Sequence, residues 1–257
     1  MSPAASDTTP PGYRIDAVER ALQLLDLVAE APGLGVAELA RRAGLTKSRT
    51  FRLLGTLQHG RYLSAGPGGY RLGPQAFVLG VAAVQDSALV RCAQWHMQAL
   101  HAQLGVTVVL RVRERLESVC IARADREQEL ALSRLVGNRR PLFSGASGKV
   151  LLAYAPDEIR ERFIAQQAAL QGRDAAWWER ETRAELQRVQ QQELAISQGE
   201  RAHGRLAIAV PVRDASGAVV ASLSLSTDGA SVAPDVLAQW SGQLQRSSRH
   251  LSSDLGF

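Results

Sequence analysis

Cysteine is scarce in this sequence. Cys92 and Cys120 are the only two, far apart and in no C-x-x-C pair, which excludes a disulfide framework. A reducing, cytoplasmic setting is the default that follows. Long apolar runs are missing as well. The longest, "FVLGVAAV" at 77–84, is far short of the roughly 20 residues a membrane span needs, so no membrane partner is expected. The beginning, "MSPAASDTTPPG", has no basic segment followed by an apolar core. It reads as a disordered lead-in over residues 1–12, not a signal peptide.

Catalytic signatures are also absent: no Ser-His-Asp order, paired carboxylates or dinucleotide fingerprint stands out. Cys92, His96 and His101 are the nearest thing to a metal set. Cys92 and His96 lie one helical turn apart, but no second ordered pair completes them, so neither a metal nor a cofactor is expected. The last absence is the most pointed. Between residues 41 and 71 there is no acid, while Arg41, Arg42, Lys47, Arg49, Arg52, Arg61 and Arg71 all fall there. The nearest acids outside are Glu38 and Asp86. A local field of one sign attracts polyanions, and elsewhere the chain mixes its charges, as in "RVRERLESV".

What is present suits a globular protein of one large or two modest domains: 257 residues, 46% hydrophobic, 21% charged, with a net charge of +5. "IDAVERALQLLDLVAE" carries Val18, Ala21, Leu22, Leu25 and Val28 at helical spacing, with Asp16 and Glu19 placed to cap it. "APGLG" breaks that helix. A short helix "VAELARRAG" follows and ends at Gly44; then "LTKSRTFRLLGTL" begins, with Thr46 as its cap. "GRYLSAGPGGYRLG" reads as a hairpin around a Gly-rich turn. From Pro74 to about Leu104 the pattern is helical again. Beyond it, "VTVVLRV", "SVCIAR", "LALSRL", "RLAIAVPV" and "AVVASLSLS" read as strands. "GKVLLAY", "PDEIRERFIAQQAAL", "WWERETRAELQRVQQQEL" and the stretch from Pro234 read as helices. An α+β domain around a mainly antiparallel sheet is predicted. Trp177 and Trp178, in a charged helix, read as packing residues.

"LTKSRTFRLLGTL" admits two readings, a solvated polar face or a face presented to another molecule. Ser48, Arg49, Arg52 and Thr56 share one arc; Leu53, Leu54 and Leu57 share the opposite one, with Phe51 at the margin. The missing acids, the preceding helix and turn, and the hairpin with Arg61, Tyr70 and Arg71 favour a winged helix-turn-helix that binds double-stranded operator DNA. Arg49 or Arg52 could grip guanine with two hydrogen bonds, and Ser48 and Thr56 suit phosphates or base edges. Arg41, Arg42, Lys47, Tyr70 and Arg71 complete the predicted DNA-binding set.

"GASGK" at 145–149 is neither of two familiar motifs. A P-loop needs Gly where Phe143 stands and Ser or Thr where Val150 stands, and a nucleophile elbow needs Gly in place of Lys149. What remains is small residues leading into a helix start, either a tight cap or an anion site.

The run from "AVERALQLLDLVAE" through "LARRAGLTKSRTFRLLGTLQHGRY" to "YRLG" resembles the winged helix-turn-helix of the isocitrate lyase regulator (IclR) family of bacterial transcription regulators. The likeness continues through "PLFSGASGKVLLAY" and "AIAVPVRDASGAVVASLSLS" and covers nearly all of the chain after residue 13. One mark is loose: Gly60, Arg61 and Tyr62 stand where the family has a Gly-aromatic pair. The resemblance implies a helix-turn-helix domain over 13–75, a linker helix over 76–91 and a GAF-like α/β effector domain over 92–257. It also implies a small effector, often a carboxylate, held by Ala146, Ser147, Ser197, Arg205, Ala207, Ser224 and Ser226. Family members often carry acids near the position of Ser197, so this pocket departs from the pattern there. With Arg205 available, a small organic acid, aromatic acids included, is the expected effector. The expectation is a regulator of catabolic genes, a homodimer or dimer of dimers, cytoplasmic and on the nucleoid when bound to DNA. The other class left open is a small-molecule-transforming enzyme whose basic segment is an interaction surface.

Overall fold

The computed structural model describes residues 13–125, 136–200, 205–228 and 232–257. The lead-in over 1–12 and the strand expected from "LALSRL" lie outside the described residues. The chain divides into two compact units, one ending at Asp86 and the other beginning at Ser87.

In the N-terminal unit three helices, α1 (Asp16–Glu30), α2 (Val36–Ala43) and α3 (Lys47–His59), are followed by the hairpin β1 (Leu63–Gly66) and β2 (Gly69–Leu72) and by α4 (Pro74–Asp86). Leu24 and Val28 of α1, Leu39 and Ala43 of α2, and Leu54 and Leu57 of α3 meet Leu63 and Tyr70 of the hairpin in one core. Each fully buried leucine contributes about 1.5–3 kcal/mol, which fixes α3 by its apolar side. The start of α1 departs from expectation. Its N-cap is Ile15, without a side-chain cap bond, and Asp16 is the first helical residue. There the carboxylate still favours the positive end of the helix dipole. Thr46 does cap α3, its Oγ1 accepting from the Arg49 N–H at 3.3 Å. Gly44 ends α2 in the left-handed region, φ 64°, which an L side chain resists. Gly69 has to be glycine for a second reason: a Cβ there would stand 2.1 Å from the Gly33 carbonyl oxygen. That close approach lets Tyr70 N–H donate to the Leu34 carbonyl and Gly33 N–H to the Tyr70 carbonyl, tying hairpin to helix loop.

The helical pattern expected to run from Pro74 to Leu104 is two helices, α4 and α5 (Ala88–Leu104). The break lies at Ser87, which is extended and whose Oγ accepts from the Val90 N–H as the cap of α5. A helix cannot run through its own N-cap.

The second unit is built on a six-stranded sheet in the order β5-β4-β3-β8-β7-β6, every neighbouring pair antiparallel. The strands are β3 (Thr107–Glu114), β4 (Glu117–Ala124), β5 (Arg139–Pro141), β6 (Ala195–Gln198), β7 (Arg205–Arg213) and β8 (Val219–Asp228). Period-two alternation sorts their side chains. Val108, Leu110, Ile208, Val210, Val212, Leu223 and Leu225 face α5 and α9 (Pro234–Asp254) in the larger core. The reverse face carries small residues, Ala195 and Ala209 among them. It packs on α6 (Gly145–Ala153), which is backed by α7 (Asp157–Leu170) and α8 (Ala175–Gln192). Trp178 joins this second core edge-on to Phe143, as expected of a packing residue, whereas Trp177 is exposed. Among the described residues no single helix is long and apolar enough to cross a membrane.

Candidate functional site

The N-terminal unit holds α3 down by Leu54 and Leu57 and turns Lys47, Ser48, Arg52 and Thr56 outward. Thr50, which lies between them in sequence, is buried and returns its hydroxyl to the Thr46 carbonyl at 3.0 Å. Phe51, placed at the margin by its spacing, is 63% exposed beside these residues.

The acid-free run is not free of ion pairs, because folding brings acids to it from just outside. Glu38 takes Arg41 at 2.6 Å and Arg42 at 2.8 Å on the surface of α2. These hydrogen bonds hold its carboxyl at about 2, so the cluster keeps its charges at any pH a DNA-binding assay would use. Arg49 pairs with Asp16 of α1, which also accepts from Arg20. Arg41, Arg42 and Arg49 therefore present less charge than the sequence count suggests. Among the described residues no carboxylate pairs with Lys47, Arg52, Arg61 or Arg71, all of them exposed. Tyr70 corrects the expectation for the wing. It is 9% exposed and belongs to the core, so it anchors β2 from beneath and leaves Arg71 outside. A tyrosine in an alternating strand points to one face or the other, and only the docking of the hairpin on α1–α3 decides which.

In the C-terminal unit the reverse face of the sheet opens into a cavity of about 340 Å³ in front of the α6 N-terminus. All seven residues expected around an effector line it: Ala146, Ser147, Ser197, Arg205, Ala207, Ser224 and Ser226. Strand register explains how residues so distant in sequence meet. Ser197, Ala207, Ser226 and Thr107 form one row across β6, β7, β8 and β3; Ala209, Ser224, Val109 and Arg123 form the next. Two rows apart by two residues lie on the same face, and their small side chains leave the hollow. The helix end is open to it: Gly145 at φ 76° begins α6, and the N-cap Ser144 makes no side-chain cap bond. Gly148 permits the loop to double back, since a Cβ there would stand 2.9 Å from the Phe143 backbone nitrogen. Free N–H groups at a helix start suit an anion.

Sequence reasoning missed three of the four arginines in the lining. Arg111, Arg123 and Arg140 enter the cavity beside Arg205, as does Cys120. Arg111 is 3% exposed and donates to Ser118 Oγ, the Ser118 carbonyl and the Asn138 carbonyl. Arg123 pairs with Asp125. Arg140 donates from Nε to Asn138 Oδ1 at 2.8 Å. Burial pushes the Cys120 thiol up, against the pull of Arg111 and Arg123. "RVRERLESV" reads as a mixed surface, and the available signal was the strand alternation that puts Arg111 in step with Thr107 and Val109. Lys149 does not reach the cavity. Buried in α6, it binds Glu200 at 2.6 Å and Glu185 at 3.2 Å, tying α6 to α8 and to the end of β6. Of the residues considered for a metal, His96 bonds Asp254 at 2.7 Å and His101 bonds the Val106 carbonyl at 2.8 Å.

Comparison with known proteins adds to this geometry. Residues 81–253 match the family described as bacterial transcriptional regulator IclR C-terminal, and residues 17–67 match the IclR helix-turn-helix domain. The HTH-type transcriptional regulator XynR of Escherichia coli is 32% identical, over 95% of this chain and 98% of that one. KdgR of Dickeya chrysanthemi, another HTH-type transcriptional regulator, is 28% identical over 95% of this chain and 81% of its own length. Among solved structures, an IclR transcriptional regulator from Alicyclobacillus acidocaldarius superposes with a TM-score of 0.80 at 26% identity, covering 95% of this chain and all of that one. An IclR homolog from Microbacterium hydrocarbonoxydans, complexed with 4-hydroxybenzoate, shares the fold with a TM-score of 0.75 at 23% identity, over 93% and 98% of the two chains.

Proposed function

The chain belongs to the IclR family of bacterial transcriptional regulators, and from that premise we propose that α3 reads operator DNA while a small organic acid in the C-terminal cavity controls the reading. It is a DNA-binding transcription regulator and not an enzyme; the relatives are named as regulators, and the enzyme alternative falls away.

The observation that carries the DNA reading is the outward face of α3, held by Leu54 and Leu57 from behind. With α3 in the major groove, Arg52 and Ser48 face base edges, and Arg49 joins them once DNA competes with Asp16 for its guanidinium. Lys47 and Thr56 contact phosphates at the two ends of the helix, and Arg61 and Arg71 do so from the wing. Arg41 and Arg42 contribute the net positive charge of their cluster with Glu38.

Two reading heads are supplied by a homodimer, alone or paired into a dimer of dimers. Its support is α4, which has no buried residue and exposes Phe77, Val78, Leu79, Val81 and Val84. Exposed apolar side chains in that number on one helix suit an interface, and a two-fold pair matches two half-sites. The genes under control are catabolic, and the protein acts in the cytoplasm, on the nucleoid when bound to DNA.

The acid's carboxylate is received by Arg205, with Ser147 and the α6 N-terminus beside it and Ser197, Ser224 and Ser226 on the floor. A cavity of about 340 Å³ lies at the small end of the ~300–1,000 Å³ range of ligand pockets, which suits a compact acid such as the one held by the Microbacterium neighbour. The acid regulates only if it binds the two operator-related states with different affinity. Calorimetric titration with a panel of small aliphatic and aromatic acids tests this: at least one binds, and Arg205→Ala loses it. No binding to the wild type, or undiminished binding to Arg205→Ala, overturns the assignment of the cavity.

A further inference from the structure

Among the exposed residues of α3, Phe51 and Gly55 bring no polar side chain to its outward face. At roughly 100° per residue, Phe51 falls inside the exposed arc, with Lys47 and Gln58 to one side and Ser48 and Arg52 to the other. It joins none of the apolar cores among the described residues. Its surface neighbours along the helix, Lys47, Ser48 and Gly55, offer the ring no apolar side chain. A single exposed aromatic is common on protein surfaces, but one turn further on stands a glycine that the fold does not require. A Cβ at Gly55 would meet nothing within 4 Å, and its φ is not positive. Glycine inside a helix is less stable than alanine, and nothing within the unit compensates for it here. Helical side chains lean toward the N-terminus, so the one that Gly55 lacks would lie toward Phe51 and Arg52.

The result is a shallow recess beside an exposed ring, on a helix that carries Lys47 and Arg52 and no acid. A second copy docked there face to face would set these cations against their own counterparts; a duplex would not. We infer that Phe51 and the recess at Gly55 seat the methyl group of a thymine in the major groove, next to the base that Arg52 holds. Each base pair displays a distinct pattern in that groove, and the thymine methyl is the apolar mark an aromatic side chain reads. Phe51 is then a specificity-determining residue that demands an A·T pair beside the position Arg52 contacts. The inference rests on α3 being the reading helix.

The test uses the full chain and two versions of the upstream duplex, one made with thymine and one with deoxyuridine throughout. A shuffled thymine duplex is the control. Uracil pairs as thymine does and lacks only the methyl. Burying one methyl is worth about fourfold in affinity, or about 15-fold over two half-sites. By fluorescence anisotropy the wild type should prefer the thymine duplex by about 4- to 15-fold, and in Phe51→Ala that preference should shrink to about twofold or less. Gly55→Ala should melt higher, since alanine is the better helix former and its Cβ has room. It should nevertheless bind the thymine duplex about fivefold or more weaker, because the recess is filled. No thymine preference in the wild type, an equal preference in Phe51→Ala, or undiminished binding by Gly55→Ala overturns the seat and leaves α3 as the reading helix. A change of oligomeric state in Phe51→Ala without DNA, read by light scattering, assigns the ring to a contact between copies and overturns it too. If the wild type binds the upstream and shuffled duplexes alike, base reading by α3 fails and the inference with it.

Discussion

Arg71→Ala and Arg52→Ala separate the two kinds of DNA contact. Arg71 is exposed on β2, and Tyr70 beneath it is fixed in the core, so the substitution removes a charge without moving the wing. Each phosphate contact contributes about 0.9 to the slope of log affinity against log salt. A dimer loses two such contacts, so its slope flattens by about 1.8. Between 50 and 200 mM salt, a fourfold change, wild type should lose about tenfold more affinity than Arg71→Ala. Arg52 is exposed on α3, whose buried leucines are untouched by its removal. Losing a two-pronged contact with a base costs about 1–3 kcal/mol per half-site, or roughly 5- to 150-fold, on operator DNA only. Fluorescence anisotropy at three salt concentrations, with the upstream duplex of the gene and a shuffled duplex of equal length, measures both. A wild-type slope for Arg71→Ala, or an equal loss on the two duplexes for Arg52→Ala, refutes this division of labour.

Asp16→Asn removes the acid that meets Arg49, so DNA binding should tighten and the salt slope should steepen by up to about 0.9 per subunit. The same change costs about 0.3–1 kcal/mol at the start of α1 by removing a favourable helix-dipole charge, so a slightly lower melting temperature should accompany tighter binding. Unchanged or weaker binding in an intact protein would show that Asp16 does not restrain Arg49. Gly148→Ala forces the loop away from the Phe143 nitrogen, and overpacking of this kind costs about 1–3 kcal/mol. Melting and acid titration should both suffer, because the displaced loop carries Ser144, Gly145 and Ser147 to the cavity. Wild-type values for both would mean that the close approach constrains nothing.

Much of the architecture was legible without coordinates. The α3 face could be read because helical period and a cap are local properties: Thr46 stops the chain, and Leu53, Leu54 and Leu57 repeat on one side. The strands "RLAIAVPV" and "AVVASLSLS" could be read because alternation is local too. The effector residues came from the family resemblance, and the cavity brings all seven together. What escaped was non-local. The short strands β5 and β6 have too few residues to show a period, yet β5 delivers Arg140. The helical pattern expected from Pro74 to about Leu104 divides at Ser87, whose hydroxyl caps the second helix.

By itself, then, the sequence determined which faces are apolar, where α3 starts, where charge accumulates and which family the chain joins. Those follow from neighbours along the chain. Only the tertiary structure decided that Tyr70 is buried, that Asp16 of α1 engages Arg49 of α3, and that four arginines share one cavity. Each of those depends on which side of an element meets which partner. Spacing in sequence does not encode it; the packing of α1 on α3 and the register of six strands do.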